Sequence, residues 1–550
     1  MQIFLFIVPF AFGLFYEFTS YFSQIFLLII LAIILKRRKR LRCYVNISSL
    51  SILLIVLGYL ATCVYAVDKG MAFLGFLKFS TLITFTIIIM QYKPIQIKKM
   101  LNAIPLSGII MIVLSVLFKI VPFLPDAFFL TNGRMSGFFE YSNTFALFLL
   151  IGIIILLNST FDNKKKIIGS AIILIGIFVT GSRLVFLLTV LNYIIFIIKL
   201  KPLRKPLIGI LGAGIIVTAL YVLVTNNFNT IGRYLTTSIN SSTFLGRILY
   251  YKDAIPLIMQ NPLGLGYMGY CYMQPVIQTG VYSTVYIHND LLQIMLDVGV
   301  IPAIVFTIAI IKSLINKDKF DVKKQLLLTI VLHMLFDFDL QFVSIFFILI
   351  MTLKLNKGKR SIWKIKLKPL IICEVIIGFI YLYFGICTIL HYVNQSEMAI
   401  KMYPIYTDAN SNVIYNSSKN NIEYANKVAT KALETNNNLL IAHKVKALYY
   451  MENMQWKLMI TSKQKSLELS KYDISNYEEY VLMLSQAMTA YINNKNIKEA
   501  ENCIKQVVQV PSKIEEVKNS TSDIAYKIKD TPNFELSTEI QEYIEKMKGE

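Results

Sequence analysis

The sequence is poor in the residues that build metal and redox centres, since its 550 residues include only four histidines and six cysteines. The cysteines form no CxxC pair and show no regular spacing, which argues against a zinc site and a disulfide framework. Charged residues make up only 16% of the chain, against about 25% in ordinary soluble domains. No Walker phosphate loop is present. A typical soluble nucleotide- or metal-dependent enzyme is therefore not indicated.

Apolar residues are abundant instead, at 55% of the chain with a mean hydropathy of +0.58. Apolar runs approaching ~20 residues recur from Met1 to His391, as in proteins that cross a membrane repeatedly. The first run lacks a basic leader and a cleavage site, so it predicts a span and not a removable signal. We expect an all-α, polytopic membrane protein with about thirteen transmembrane helices. The predicted spans are 3–16, 22–35, 47–66, 72–91, 101–122, 143–159, 167–180, 184–199, 206–224, 297–312, 324–337, 340–354 and 369–391.

The net charge of +22 is concentrated in short loops between these runs. A strongly basic chain can indicate nucleic-acid binding, but cations in alternate loops indicate membrane topology, so no nucleic-acid partner is predicted. The positive-inside rule puts the N-terminus and the cationic loops in the cytoplasm. The 225–296 loop and the C-terminal region are then external. The cationic loops lie at 36–40, 93–99, 164–166, 199–205, 317–324 and 354–368.

Two regions differ in composition, and they predict a transmembrane domain at 1–391 and an external helical domain at 392–550. The 225–296 loop is too long for a simple connector, and we expect it to form a folded cap. The C-terminal region contains no arginine, and the segment 472–511 resembles a tetratricopeptide repeat. The alternative for that segment is an unspecific helical hairpin. Helices are predicted at 420–435, 439–453, 461–470, 475–493 and 496–509.

His288 is the foremost candidate for chemistry, because it ends the long external loop at the mouth of a helix. An ionisable group at a membrane edge indicates function by default. The plainer interpretation is an exposed loop histidine, with Asn289 or Asp290 capping the helix and Gln293 as a partner in its first turn.

Three loop arginines are predicted on the same side as His288, namely Arg134, Arg183 and Arg247. Arginine suits a diphosphate because its planar fork donates two parallel hydrogen bonds. The alternatives are snorkelling to lipid headgroups for Arg183 and, around Arg134, a loop in which Ser142 or Asn143 caps the next helix.

His333 and Asp337 are four residues apart, which would put them on one face of a helix. Asp337-Phe338-Asp339 also forms a DxD triplet, a weak metal-binding signal that we interpret mainly as the polar end of a span. The glycines at 264 and 266 resemble a phosphate loop only faintly.

Taken together, residues 1–355 resemble the O-antigen ligase and O-antigen polymerase superfamily of bacterial membrane glycosyltransferases. Aspartate at 297 departs from the glutamate common in the family, which argues against a catalytic role there. A tetratricopeptide-like tail also occurs in that superfamily. The resemblance rests on Arg134-x-x-Gly137 with Tyr141-x-Asn143-x-x-Ala146, on Ser182-Arg183, on Arg247 with Asn261-Pro262-x-Gly264-x-Gly266, and on His288-Asn289-x-x-x-Gln293-x-x-x-Asp297-x-Gly299.

The resemblance implies an inverting transfer of a glycan from a polyprenyl diphosphate at the outer face of a bacterial cytoplasmic membrane. Arg183 and Arg247, with Arg134, would hold the diphosphate, and His288 would act as the general base. It implies no metal and no cofactor. The lipid-linked glycan, membrane lipid and a protein bound by the tail are the implied partners. Supporting roles are expected for Asn289, Tyr141, Asn143, His333 and Asp337.

Polymerase and ligase activities both remain open, with polymerase favoured, and a protein O-oligosaccharyltransferase is a third form of the same chemistry. A lipid-linked glycan flippase is the main alternative from another class. It predicts ionisable residues near the middle of spans, whereas the candidates here cluster at one face. A sensor or scaffold would not need so many spans.

Overall fold

The computed structural model describes residues 1–121, 127–225, 242–315, 321–356, 358–364 and 367–549. Most of these residues are helical and very few lie in strands, which confirms the predicted all-α class. One two-stranded antiparallel sheet was not predicted from the sequence; in it, Arg40–Val45 pairs with Lys359–Lys364. Helices up to residue 392 are Gln2–Ile7, Glu17–Arg38, Ile47–Tyr65, Lys69–Met90, Pro94–Leu101, Ala103–Ile120, Ser142–Leu157, Asn163–Thr180, Arg183–Lys199, Arg204–Thr225, Ser242–Gln260, Gly269–Ile277, Asp290–Val298, Val300–Ile315, Val322–Met334, Val343–Thr352 and Leu367–Tyr392.

Fewer helices are long enough to cross a membrane than the sequence predicted. Among the described residues, five have the required length and apolar composition, or six if the bent pair Arg183–Lys199 and Lys201–Gly214 is counted as one span. The predicted span 3–16 is broken, because the helix Gln2–Ile7 is followed by short 3-10 turns around Gly13 at φ +60°. The estimate of about thirteen full spans is therefore not supported by helix length.

Two of the missing spans are buried helices of the core. Every residue of Val343–Thr352 is buried, and so is every residue of Ser142–Leu157 except Asn143. Their composition is as apolar as that of a span, but helices of 10 to 17 residues fit inside a bundle more readily than across a bilayer. Hydropathy alone does not distinguish a short helix enclosed by protein from one that faces lipid.

Three of the predicted cytoplasmic loops meet at one end of the molecule. The two strands join the loop after residue 36 to the loop after residue 354. The Arg38 guanidinium donates to Gln91 O at 2.5 Å, and Asn356 Nδ2 donates to Tyr92 O at 2.9 Å. The convergence agrees with the predicted topology, although the side of the membrane that these loops face stays a prediction.

The region after residue 392 forms successive helices, and neighbours in the chain pack against each other. Each predicted helix of this region is present within a few residues, and the 472–511 segment contains two packed helices with Ala500 buried between them. The specific tetratricopeptide likeness stays a prediction. The helices are Ser396–Met402, Thr407–Ser418, Ile422–Thr435, Leu440–Glu452, Trp456–Glu468, Ile474–Asn493, Ile497–Val508, Val510–Asn519 and Thr538–Lys548.

The helical C-terminal region is seated on the turn before the helix Lys69–Met90. Asp68 caps that helix through Met71 N at 2.8 Å, and its other oxygen accepts from Asn436 Nδ2 at 3.0 Å. Nearby, Tyr272 OH donates to Asp408 Oδ1 at 2.9 Å. The hydrophobic core continues across this contact, from the membrane helices to Val445. Polar and apolar contacts together therefore join the two regions.

The Asp408 contact predicts a pH-dependent stability. Burial raises the pKa of Asp408 to about 7, although the hydrogen bond from Tyr272 opposes the shift. A carboxyl whose folded pKa exceeds its unfolded value of 3.8 favours the folded protein more as pH falls. We therefore expect the melting temperature to rise as the pH falls from 8 to 5, and we assign part of this rise to Asp408.

The measurement is the melting temperature across that pH range for the full chain and for Asp408→Asn. The variant should have a flatter profile, whereas Asp523→Asn, at an exposed position of the same region, should keep the original slope. Equal slopes for Asp408→Asn and the unmodified protein would contradict the assignment.

Candidate functional site

The buried carboxylate of Asp337 gathers four of the predicted site residues around itself. Tyr141 OH donates to Oδ1 at 2.8 Å, and Asn143 Nδ2 donates to Oδ2 at 2.8 Å. Arg247 Nη2 lies 3.4 Å from Oδ2, and His288 Nδ1 lies 3.2 Å from Oδ1. Residues separated by almost 200 positions in the sequence therefore share one charged centre.

The Asp337 loop, residues 335–341, follows the end of the helix Val322–Met334 and is held by backbone contacts. Phe338 N donates to the Asp337 carboxylate at 3.1 Å. Both carboxylate oxygens of Asp290 accept from Leu340 N at 3.1 Å. This loop is thereby attached to the first turn of the helix Asp290–Val298, directly after His288.

Asn289 is the residue that caps this helix, which confirms one of the two capping predictions. Its Oδ1 accepts from Leu291 N and Leu292 N at 3.1 Å, and its Nδ2 donates to Leu335 O at 3.0 Å. Asp290 does not cap the helix, because its carboxylate is bound to the Asp337 loop. Gln293 Oε1 accepts from Ile287 N at 3.0 Å, one position before His288. Asn289 therefore positions His288 in addition to starting the helix.

His288 adopts a left-handed backbone conformation, with φ at +56°. A non-glycine residue in this region is strained, and such strain is concentrated at functional sites. Tyr251 OH donates to His288 O at 2.6 Å and so helps to hold this conformation. The side chain is 21% exposed. With Nδ1 directed to Asp337, Nε2 is the ring nitrogen left to meet a substrate.

Asp337 is the anionic centre of this cluster. Burial alone would raise its pKa, but the hydrogen bond with His288 and the charge of Arg247 hold the pKa well below its usual range. The carboxylate therefore stays ionised at neutral pH. An ionised partner on Nδ1 fixes the imidazole orientation and stabilises the imidazolium that forms when Nε2 takes a proton.

Arg134 is bound within the protein on two sides. Its Nε donates to Thr180 O at 2.7 Å, and its Nη2 donates to Asn143 Oδ1 at 2.7 Å. The first contact reaches the turn that ends the helix Asn163–Thr180, where Gly181 adopts φ +63°. Arg134 thus connects this turn to Asn143 and, through it, to Asp337.

Arg183 starts the next helix, two residues beyond the turn that Arg134 binds. Its Nε is buried and has no hydrogen-bond partner among the described residues. An unsatisfied buried donor is costly without a ligand or water to accept from it. The described contacts of Arg183 do not join it to Asp337 or His288, so its predicted role stays a prediction.

Two expectations about neighbouring polar residues are wrong. Neither Ser142 nor Asn143 caps the helix Ser142–Leu157, since Tyr141 holds the cap position and makes no side-chain cap bond. His333 and Asp337 do not share a helix face, because the helix ends at Met334.

His333 instead forms a buried pair with Asp339, with Nδ1 2.5 Å from Oδ2. Thr144 Oγ1 donates to the other Asp339 oxygen at 2.7 Å. The two aspartates of the DxD triplet therefore serve different partners. His333 therefore contacts Asp339 and not Asp337, and its predicted supporting role stays a prediction.

The glycines after Pro262 have a packing role. Gly264, Gly266 and Gly269 complete a GxGxxG spacing that the sequence analysis overlooked, but the dinucleotide motif requires a preceding strand, and here the preceding element is the helix Ser242–Gln260. A Cβ on Gly264 would lie 2.7 Å from Asp297 O. This loop therefore packs closely against the end of the helix Asp290–Val298.

Two aromatic residues of the site, Phe338 and Tyr251, were not predicted from the sequence. Phe338 packs edge-on against His288, with ring centroids 5.0 Å apart, and lies 4.6 Å from the Tyr141 ring. Tyr251 holds the His288 backbone. No local pattern marks these residues, because aromatic side chains are common throughout the chain.

Comparison with known proteins supports the resemblance over the centre of the chain. Residues 168–307 match the family model described as O-antigen ligase. The matched segment includes Arg183, Arg247, His288 and Asn289, whereas Arg134 and Asp337 lie outside it. No curated protein and no solved structure matches the chain.

Proposed function

We propose a specific activity for this chain, whose residues 168–307 match the O-antigen ligase family model, a match that supports a membrane enzyme of surface-polysaccharide biosynthesis. It transfers or polymerises an oligosaccharide carried on a polyprenyl diphosphate, at the outer face of the cytoplasmic membrane of a bacterium. The contact of His288 with Asp337, next to Arg247, is the observation that carries this proposal.

The arginines act on the leaving group. Arg247 lies beside Asp337 with its side chain 17% exposed, and Arg183 has a buried donor without a partner among the described residues. As the bond between the anomeric carbon and the diphosphate breaks, negative charge grows on the diphosphate. Preorganised guanidinium groups stabilise that charge most when water is excluded. Arg134, bound to Thr180 and Asn143, positions this cluster from behind.

His288 acts on the acceptor. Its Nε2 takes the proton of an acceptor hydroxyl as the hydroxyl oxygen attacks the anomeric carbon. The electron pair of the broken bond leaves with the lipid diphosphate, and attack from the opposite face inverts the anomeric centre. Asp337 holds the imidazole through Nδ1 and stabilises its charged form.

Reconstitution tests the activity directly. The purified chain is placed in vesicles with a polyprenyl-diphosphate oligosaccharide from a bacterial host, and the products are separated by length. Longer lipid-linked chains would identify a polymerase, and a glycosylated lipid or protein acceptor would identify a transferase. Movement of the lipid across the vesicle membrane without transfer would contradict the proposal and support a flippase.

Arg183→Lys and Arg247→Lys are expected to reduce transfer by about 10- to 100-fold each, because lysine keeps the charge and loses the planar fork. The rate of transfer in the reconstituted system measures this. Arg204→Lys is the matched control, since Arg204 starts the helix Arg204–Thr225 at an end predicted to face the cytoplasm, and its exposed side chain should tolerate the change. Full activity of both site variants would contradict bidentate binding of the diphosphate.

A further inference from the structure

Two aromatic residues lie next to the His288 ring. The ring of Tyr250, in the helix that carries Arg247, has its centroid 6.3 Å from that of His288. The ring of Phe338 lies closer, with its centroid 5.0 Å from that of His288. Phe338 belongs in turn to a longer series of aromatic contacts.

A strip of aromatic rings runs from Phe338 toward the surface. The Phe338 ring lies 6.5 Å from Phe15, Phe15 lies 5.4 Å from Tyr16, and Tyr16 lies 4.9 Å from Tyr392. The first three rings are half-buried, and Tyr392 is 42% exposed. Each ring therefore presents part of its surface outward, and the strip is continuous with the His288 environment.

Two carboxylates accompany these rings. Tyr16 OH donates to Glu140 Oε2 at 2.7 Å, and Glu140 is exposed next to Tyr141 of the site. Glu140 has a left-handed backbone at φ +55°, a conformation that is costly without glycine. Glu17, half-buried after Tyr16, accepts from Tyr267 OH at 2.5 Å. We call these six residues the aromatic–acidic strip: Phe15, Tyr16, Glu17, Glu140, Phe338 and Tyr392.

A buried lysine holds the strip from behind. The Lys78 side chain is fully buried, and its Nζ donates to Phe15 O at 2.5 Å and to Tyr267 OH at 3.2 Å. Since Tyr267 also donates to Glu17, the backbone of one strip residue and the carboxylate of the next are attached to the same buried centre. Rigid support of this kind is typical of a binding surface.

We infer that the aromatic–acidic strip is the acceptor subsite, and that it binds the sugar rings of an uncharged or amino-sugar glycan. Ring faces pack against the apolar faces of sugars, and carboxylates accept hydrogen bonds from sugar hydroxyl groups. The acidic charge repels a diphosphate, so we expect the donor diphosphate at Arg247 and not on the strip. The inference rests on the proposed function, because it names the acceptor ligand of the same histidine.

An aromatic belt that only contacts lipid headgroups would account for the rings but not for the carboxylates. Tyrosines are enriched where a membrane protein meets the headgroup layer. Carboxylates next to them would face the phosphates of the lipids, which is unfavourable. The hydrogen bond between Tyr16 and Glu140 also orients both groups toward each other along the strip.

Direct binding tests the inference without requiring turnover. The probe is the oligosaccharide released by mild acid from the lipid-linked pool of a bacterial host, so that it carries no diphosphate. Its affinity for the full-length chain is measured by calorimetry in detergent. We expect Tyr16→Ala and Glu140→Ala to weaken binding by about tenfold each.

Phe379→Ala is the matched control, because Phe379 is 66% exposed on the same helix as Tyr392 but outside the strip. Tyr16→Phe keeps the ring and loses the hydroxyl, so an intermediate affinity is expected. Unchanged binding in Tyr16→Ala, or no binding by the unmodified chain, would overturn the inference. Normal strip-dependent binding without glycan transfer would instead overturn the proposed function alone.

Discussion

His288→Ala is expected to reduce glycan transfer by about 10²- to 10⁴-fold, the range that a general base contributes. Among the histidines that the structure describes, His288 alone has a partly exposed side chain with its Nδ1 on an ionised carboxylate, which leaves Nε2 for the substrate. The residual rate should come from the arginines and from substrate positioning. The rate is measured in reconstituted vesicles, normalised to the amount of inserted protein.

His443→Gln provides the control, because His443 lies in the C-terminal region and its Nε2 contacts Asn437 O. This variant should retain full transfer activity. If His288→Ala inserts normally and transfers glycan at the unmodified rate, His288 is not the base. The Asp337 cluster would then be a structural ion pair and no more.

Asp337→Asn is expected to lower both activity and stability. The carboxylate is 1% exposed and accepts hydrogen bonds or ionic contacts from Tyr141, Asn143, Arg247 and His288. Removing one partner of a buried ion pair leaves the other charge uncompensated, at a cost of about 3–5 kcal/mol. Because Arg247 and His288 are partly exposed, we expect the free energy of unfolding to fall by about 2–3 kcal/mol. Transfer should fall by about 100-fold or more, because the imidazole loses its orienting partner.

A second variant distinguishes a lost charge from a lost fold. The double variant Asp337→Asn, Arg247→Gln also removes the Arg247 charge that Asp337→Asn leaves uncompensated. Its melting temperature should therefore lie above that of Asp337→Asn, while glycan transfer stays low. Asp321→Asn is the control, because Asp321 caps the opposite end of the helix Val322–Met334 that precedes the Asp337 loop. A double variant that regains transfer activity would contradict the catalytic role of this cluster.

The low pKa of Asp337 predicts how the stability of the Asp337→Asn variant depends on pH. Its folded pKa lies below the usual aspartate value, so its stabilising contribution is present at neutral pH and is lost only in strong acid. The stability difference between Asp337→Asn and the unmodified chain should therefore be constant from pH 6 to pH 8. A difference that disappears within this range would contradict an ionised Asp337.

The positions of the helices followed closely from periodicity. Each predicted helix of the C-terminal region is present, and every predicted span after residue 16 contains a helix. Periodicity did not predict the number of full-length spans, because the apolar helices Ser142–Leu157 and Val343–Thr352 are short and buried among other helices. Hydropathy measures how apolar a segment is, and a core helix and a lipid-facing helix satisfy the same criterion.

Most residues of the candidate site were named from the sequence, but their contacts with one another were not predicted. Arg134, Tyr141, Asn143, Arg247 and His288 were identified from local patterns and from the side of the membrane predicted for them. Asp337 was expected to share a helix face with His333, but the helix ends three residues before Asp337. In the loop that follows, Asp337 contacts His288, whereas Asp339 contacts His333.

The sequence by itself determined the all-α class, the apolar segments and the residue types available for chemistry, because these depend on composition and short-range periodicity. Only the tertiary structure decided which carboxylate would orient His288, which arginines would be bound inside the protein, and which aromatic rings would lie beside the histidine. These contacts join residues far apart in the chain. Long-range packing sets them, and no local pattern encodes their distances.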